Sequence, residues 1–221
     1  MGLQDKLDAL REELESRKLT SEAVGLLRKS RDELIAAKLA DRAVGVGDTA
    51  PAFSLPDADG KEFSLDALLK GGPVVLSFYR GAWCPFCNTE LQGLEAALPE
   101  IRSYGASLLA ISPQTPSNSR KSQRDNELTF PVLADQGRKV ASAYGLCWAV
   151  QDDLRKLYHE QGVDLEVLNG NKDWTLPMPA RYVVASDGTV VYAEVSPDYT
   201  VRPDPSELIP TLKQLKSTLI T

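Results

Sequence analysis

One short segment constrains the fold of this chain more than any other. The almost wholly apolar run Val74–Tyr79 follows the chain-breaking triplet 71–73 (Gly-Gly-Pro). Such a run between breakers predicts a strand that is buried on both faces. A short loop follows, and a helical pattern opens near Cys84, where Pro85 suits the first position of a helix. A buried strand that leads directly into a helix predicts an α/β fold with the sheet at its centre.

The chain from about Pro51 onward continues this alternation. The turn signals 57–60 (Asp-Ala-Asp-Gly) and 187–188 (Asp-Gly) lie between apolar segments and predict two β-hairpins. Ser64 is a suitable N-cap for a short helix. Strands that alternate with helices and include hairpins predict an α/β sandwich with a mixed central sheet. The predicted strands are 53–55, 61–63, 74–79, 107–111, 130–133, 181–185 and 190–195, and the predicted helices are 64–69, the helix after Cys84, 118–127, 137–144 and 208–219.

The first 43 residues differ in composition, because they contain no proline, no aromatic residue and no cysteine. Leu3, Leu7, Leu10 and Leu14 recur at spacings of four, three and four residues, which places them in one stripe on a helix. We therefore expect an N-terminal helical arm over residues 1–44, followed by an α/β domain over residues 45–221. The apolar stripe has two interpretations: it packs on its own domain, or it forms a homodimer interface.

A second helix of this arm is expected to begin after Thr20, a favourable N-cap. Gly45 and Gly47 are expected to stop it. Together the two helices would form a helical hairpin. The apolar side of the second helix is expected to consist of Val24, Leu27, Leu34 and Ile35.

The paired cysteines Cys84 and Cys87 carry the chemistry. At the N-terminus of a helix, unpaired N–H groups and the helix dipole stabilise a thiolate, and Arg80 adds a possible cation four residues upstream. These effects are expected to lower the pKa of the Cys84 thiol. Residues i and i+3 are neighbours on a helix, so Cys87 can close a disulfide with little movement. We expect Cys84 to be the more exposed and attacking thiol, with Cys87 better shielded and resolving.

Three other interpretations of this motif remain open. The pair could be half of a zinc site, although Cys147 and His159 are the only remaining candidates and lack metal-ligand spacing, so no metal is expected. The cysteines could be inert core residues. They could also form a redox sensor without turnover.

Charge and hydropathy exclude several classes of function. The chain has 25 Lys and Arg against 31 Asp and Glu, a net charge of −6, which argues against a nucleic-acid partner. It lacks an apolar window long enough to span a membrane, so no membrane association is expected. The N-terminus lacks the apolar region of a secretory signal, and the sparse cysteines suit a reducing compartment, so we expect a cytoplasmic protein.

The segment Trp83–Cys87 after an apolar strand resembles the active site of the thioredoxin superfamily. Segments 47–55, 130–135 and 140–145 resemble its peroxiredoxin branch, the alkyl hydroperoxide reductase/thiol-specific antioxidant family. The resemblance covers residues 46–215 and is closest to a subgroup with a C-x-x-C centre. It implies a thioredoxin-like three-layer sandwich. It also implies a thiol peroxidase for hydrogen peroxide or organic hydroperoxides, recycled by a thioredoxin-like or glutaredoxin-like protein.

The chain departs from the family's Pro-x-x-x-Thr-x-x-Cys pattern, since Ser77 and Gly81 occupy the Pro and Thr positions. Pro179 resembles the proline, often cis, that packs against the dithiol in thioredoxins. Arg181 is a candidate for the family's later active-site arginine, and the alternative is a surface residue. Arg202 is a weaker candidate for the same role.

Four other residues complete the sequence-based assignment. Trp83 is expected to lie near the sulfur. Glu90 is expected to be a solvated carboxylate, Cys147 a structural buried thiol, and His159 to have no catalytic role. A thiol–disulfide oxidoreductase that acts on protein disulfides is the alternative activity, and a non-catalytic redox-responsive binding protein is a third possibility.

Overall fold

The computed structural model describes residues 2–218, and its centre is a five-stranded mixed sheet. The strands of this sheet are β3 (Val74–Phe78), β4 (Ser107–Ser112), β5 (Val132–Ala134), β8 (Ala180–Val184) and β9 (Val190–Val195). Their order is β5-β4-β3-β8-β9. The strands β3, β4 and β5 are parallel, whereas β8 and β9 run antiparallel to their neighbours. Leu76 in β3 lies between Leu109 of β4 and Tyr182 of β8. The mixed sheet is therefore confirmed.

Two small hairpins flank this sheet. The first pairs Leu55 with Phe63, as the turn signal between them predicts. The second pairs Trp148 with Leu176, and no sequence pattern predicted it. The first hairpin is formed by β1 (Ser54–Pro56) and β2 (Glu62–Ser64), and the second by β6 (Cys147–Ala149) and β7 (Thr175–Pro177).

Helices cover both faces of the sheet because successive strand residues point to opposite faces. The helices are α1 (Leu3–Glu13), α2 (Ser21–Ala36), α3 (Leu65–Leu69), α4 (Pro85–Ser103), α5 (Pro116–Asp125), α6 (Lys139–Ala143), α7 (Asp152–Glu160), α8 (Leu165–Asn169) and α9 (Leu208–Thr218). Val75 belongs to the core under α1, α4 and α9, whereas its neighbour Leu76 belongs to the core under α3 and α6. The three-layer, thioredoxin-like arrangement is confirmed. The expected end of the last helix, Leu219, lies outside the described residues.

The apolar stripe of α1 is buried within its own chain. Leu3 and Leu7 lie in the core formed with α4 and α9, and Leu10 and Leu14 pack against that core. This favours the first of the two interpretations of the stripe, because residues already buried in one chain are not free to form a homodimer interface.

The second N-terminal helix differs in detail from its prediction. Its N-cap is Thr20, as predicted, but it ends at Ala36 rather than near Gly45, because Lys38 takes a left-handed conformation with φ of 50°. Ala23 and Leu34 are buried against α7, whereas Ile35, expected on the apolar side, is exposed. Within residues 2–218 no helix has the length and apolar content needed to cross a membrane.

Candidate active site

The loop between β3 and α4 holds Cys84 at the tip of the helix. Pro85 occupies the first helical position, and Cys84 is the N-cap with extended backbone angles. The tight turn before it requires glycine: the φ of Gly81 is 138°, and a Cβ there would lie 2.7 Å from Nε1 of Trp83. Cys84 donates its N–H to the Gly81 carbonyl at 3.1 Å. The strand, the turn and the N-cap thus place Cys84 where the sequence predicts it.

A cation lies beside the Cys84 sulfur. Nη1 of Arg80 is 3.8 Å from Cys84 Sγ. Burial alone raises the pKa of the Cys84 thiol, but a hydrogen bond from the Cys87 thiol and the charge of Arg80 outweigh burial and lower the pKa to about 6. The Cys84 thiol is therefore mostly ionised at neutral pH, which makes it the better nucleophile of the pair.

Cys87 has the opposite ionisation behaviour. Burial and the neighbouring Cys84 sulfur raise the pKa of the Cys87 thiol well above its usual value. One turn of α4 separates the two residues, and both are free thiols in this structure. The pair thus consists of one thiolate and one thiol that donates a hydrogen bond to it.

The expected difference in exposure is wrong: Cys84 and Cys87 both have an exposed fraction of 0%. Cys84 is nevertheless not sealed in hydrocarbon. It borders a cavity of about 230 Å³, and the Arg80 guanidinium lies beside it. The two thiols therefore differ in electrostatic surroundings rather than in exposure.

Three aromatic rings hold Arg80. Its guanidinium lies 4.1 Å from the ring centroid of Tyr199 and 4.6 Å from that of Trp83, and its Nη2 donates a hydrogen bond to the Tyr158 hydroxyl. Trp83 also packs on Tyr158 with ring centroids 5.3 Å apart. Trp83 thus lies at the site, as expected. Tyr158 and Tyr199 were not predicted from the sequence, because they come from distant segments and carry no motif.

A buried ion cluster lies on the Cys87 side of α4. Glu90 binds Arg181 at 3.0 Å through one carboxylate oxygen and Arg202 at 2.8 Å through the other. The expectation of a solvated Glu90 is wrong, because Glu90 lies three residues after Cys87 on the buried helix face, with a side chain only 3% exposed. Two buried arginines thus share the carboxylate of one glutamate.

The two arginines of this cluster have different relations to the sulfurs. The charge of Arg202 lowers the pKa of both thiols. Arg181 is fully buried, so its surface alternative is wrong; its contacts are Glu90 and the carbonyl oxygen of Pro203. Arg202, the weaker candidate from sequence, therefore acts on the dithiol more directly than Arg181.

A polar network, which was not predicted from the sequence, supports the loop that precedes Cys84. Gln114 accepts a hydrogen bond from the Ala82 N–H at 2.9 Å and donates one to the Tyr79 hydroxyl at 2.7 Å. Tyr79 in turn donates to Ser122 at 2.9 Å, and burial raises its pKa to about 12, so the phenol stays protonated. This network fixes the turn that precedes Cys84.

The remaining candidates are Pro179, Cys147 and His159. Pro179 is buried, and its peptide bond is trans, as are all peptide bonds in the described part of the chain, whereas the proline that it resembles is often cis. Cys147 is half-buried rather than buried and accepts a hydrogen bond from Ser142. His159 is exposed and packs on Trp174. Among residues 2–218, no group of three or more His, Cys, Asp or Glu side chains could hold a metal ion.

The fold and the site together define a thioredoxin-fold protein with a C-x-x-C centre at a helix N-terminus. The model of the AhpC/TSA family matches residues 46–193. A Mycobacterium tuberculosis protein named as a candidate peroxiredoxin, Rv2521, is 38% identical over 67% of this chain and 83% of its own length. Peroxiredoxin Bcp of Escherichia coli K12 is 32% identical over 51% of this chain and 70% of its own length.

Two further comparisons bear on fold and activity. The crystal structure of peroxidoxin BcpB from Mycobacterium tuberculosis has a TM-score of 0.60 and 24% identity, and it covers 78% of this chain and 96% of that one. The thiol-disulfide oxidoreductase ResA of Geobacillus thermodenitrificans is 36% identical over 47% of this chain and 59% of its own length. The chain belongs to the AhpC/TSA family: it is a peroxiredoxin of the thioredoxin superfamily, a thiol-dependent peroxidase.

Proposed function

We propose that Cys84 attacks the peroxide and that Cys87 resolves the product as an intramolecular disulfide. The observation that carries this assignment is the position of Cys84: it is the N-cap of α4 and lies 3.8 Å from the Arg80 guanidinium. Both features stabilise a thiolate, which is the reactive form of cysteine. Cys87 is one helical turn away, and its thiol stays protonated until it attacks the oxidised Cys84 sulfur.

In the first step, the Cys84 thiolate attacks the terminal oxygen of the peroxide. An S–O bond forms while the O–O bond breaks, and the sulfur supplies the electron pair. The leaving alkoxide, or hydroxide in the case of hydrogen peroxide, takes a proton from solvent and departs as alcohol or water. Cys84 is then a sulfenic acid. Arg80 stabilises the thiolate before attack and the negative charge that develops on the leaving oxygen.

In the second step, the Cys87 sulfur attacks the Cys84 sulfenic acid. Cys87 loses its proton, the sulfenic oxygen leaves as water, and a disulfide forms between the two residues. Arg202 and Arg80 favour this step because their charges oppose the burial that keeps Cys87 protonated. Arg181 acts as a positioning residue, since it holds the carboxylate of Glu90 that also binds Arg202.

A thioredoxin-like or glutaredoxin-like dithiol then reduces the disulfide. It donates two electrons, both cysteines return to thiols, and the reductant leaves as its own disulfide. Because both sulfurs are buried, a protein reductant reaches them only after the first turn of α4 opens locally. In this proposal Trp83 and Pro179 cover the dithiol. The arm over residues 1–44 is an accessory of the catalytic domain over residues 45–221. The protein works in a thiol-reducing compartment such as the cytoplasm.

The test is peroxide consumption coupled to a thioredoxin system. We expect turnover by the wild-type chain, none by Cys84→Ser, and a single uncoupled turnover by Cys87→Ser. Cys147→Ser is the matched control, because Cys147 is a third thiol that packs in a different part of the core, and it should keep full activity. Wild-type activity in Cys84→Ser would exclude Cys84 as the attacking residue.

A second activity, reduction of protein disulfides, has a specific observation in its favour. The family's peroxidatic Thr is replaced by Gly81, and the chain resembles a thiol-disulfide oxidoreductase over about half its length. The insulin-reduction rate, measured beside peroxide turnover with the same reductant, compares the two activities. We expect peroxide turnover to be faster, and the reverse order would make disulfide reduction the main reaction.

A further inference from the structure

The cavity beside Cys84 is larger than hydrogen peroxide needs. Its volume is about 230 Å³, whereas one molecule of liquid water occupies about 30 Å³. Its walls are mainly apolar, because leucine, aromatic and valine side chains supply most of them. The apolar lining includes Leu14, Leu19, Leu27, Trp83, Phe86 and Val163.

The N-terminal arm builds one wall of this cavity. Leu14 opens the π-helical turn Leu14–Lys18 that follows α1, Leu19 comes directly after that turn, and Leu27 lies on α2. All three leucines precede residues 46–193, the part of the chain that matches the family model. This wall is therefore an addition of this chain to the matched family core.

The polar groups of the cavity lie around the reacting sulfur. Arg80 lines the cavity with Cys84 and Tyr158. Arg80 is only 2% exposed, and its Nε has no hydrogen-bond partner among the described residues. A cavity with a cation and a thiolate on one side and leucines on another suits a molecule with one polar, reactive end and one apolar end.

We propose that Leu14, Leu19 and Leu27 of the N-terminal arm are specificity-determining residues of this peroxidase. The wall that they form favours hydroperoxides with a bulky apolar substituent of the aryl-alkyl class over smaller ones. The proposal rests on the assignment of Cys84 as the attacking sulfur. The hydroperoxide group binds at Cys84 and Arg80, and the substituent packs on the arm. Each methylene group that the cavity buries improves binding about fourfold.

The test compares cumene hydroperoxide with tert-butyl hydroperoxide, because both are tertiary hydroperoxides and a phenyl ring replaces one methyl group. The second-order rate constant for oxidation of the reduced protein is measured in a single turnover, without any reductant. We expect the cumene compound to react at least tenfold faster. Equal rate constants in the wild-type chain would overturn the proposal.

Two neighbouring leucines of α2 provide matched variants. Leu27 lines the cavity, whereas Leu26 is equally half-buried but faces a separate surface depression. Leu27→Ala should lower the preference for cumene hydroperoxide over tert-butyl hydroperoxide at least threefold, whereas Leu26→Ala should not alter this preference. The same loss of preference in both variants would contradict the role of the cavity wall.

Binding of the alcohol product tests the cavity proposal independently of the assignment of Cys84 as the attacking residue. The probe is 2-phenylpropan-2-ol, titrated into the Cys84→Ser chain by calorimetry. Saturable binding that Leu27→Ala weakens and Leu26→Ala does not would support the cavity even if another sulfur proved to be the attacking one. No binding at the solubility limit of the alcohol would overturn the cavity proposal and leave the peroxidase chemistry intact.

Discussion

Replacing Arg80 with methionine tests the electrostatic origin of the reactive thiolate. The side chain keeps much of its apolar length in Arg80→Met, but the charge 3.8 Å from the Cys84 sulfur is lost. At an effective dielectric constant of about 20, two unit charges about 4 Å apart interact by about 4 kcal/mol, or about three pKa units. Measured effects of an arginine beside an acid are about one to three units.

The pKa of Cys84 should therefore rise from about 6 by about one to three units in Arg80→Met. At pH 7 the thiolate fraction would fall from about 90% to about half or less. The pH dependence of the iodoacetamide alkylation rate of Cys84 measures this pKa directly. Circular dichroism checks that the variant is folded.

Arg138→Met is the matched control for this measurement. Arg138 is also a buried arginine and forms an ion pair, but its partner is Asp173, and its charge is not among the causes of the Cys84 shift. We expect the pKa of Cys84 to stay unchanged in this control. An unchanged pKa in Arg80→Met itself would refute the claim that the guanidinium stabilises the thiolate.

Three further predictions follow from the same structure. The rate of peroxide reduction, measured by stopped flow, should be constant above about pH 7 and fall about tenfold per pH unit below about pH 6, because the reactive species is the Cys84 thiolate. A rate that stays constant down to pH 4 would contradict this. Glu90→Gln should lower the free energy of unfolding in urea by about 3–5 kcal/mol, since it removes the carboxylate that forms ion pairs with two buried arginines, whereas the exposed Glu100→Gln on the same helix should change it little. Leu7→Ala should lower the free energy of unfolding by about 2–5 kcal/mol in the same assay, because Leu7 of α1 is buried in the core. An unchanged free energy of unfolding would show that α1 is not part of the folded core.

Local patterns in the sequence were sufficient to predict most of the sheet. The strand Val74–Phe78 and the helix after Cys84 were predictable because breakers, an apolar run and a proline at the first helical position act within a few residues. The segment between Leu146 and Met178 gave no such signal. Its two short strands pair with each other across more than twenty residues, and a three-residue strand has no periodicity to detect.

The dithiol could be predicted from the sequence, but its surroundings could not. Cys84 and Cys87 are one helical turn apart, and Arg80 lies in the loop just before the helix, so all three fall within eight residues and are related by local structure. Arg202 meets Glu90 across 112 residues of sequence, and only the tertiary fold brings them together.

Two errors came from applying average tendencies to single residues. Glu90 was expected in solvent because carboxylates usually are solvated, although it shares a helix face with the buried Cys87 and Leu94. Cys84 was expected to be exposed because helix ends usually face solvent, but Trp83, Phe86 and the N-terminal arm surround it. The helix spacing of Glu90 was visible in the sequence, whereas the arm's contact with the site was not.

The most direct test of the central claim is the mass of the reduced protein after one equivalent of peroxide. The account predicts the loss of two hydrogen atoms, located in the peptide that contains Cys84 and Cys87, with Cys147 still alkylatable. A gain of one or two oxygen atoms on Cys84 in the wild-type chain, with Cys87 still a free thiol, would contradict the account, because the second sulfur would then have no part in the reaction.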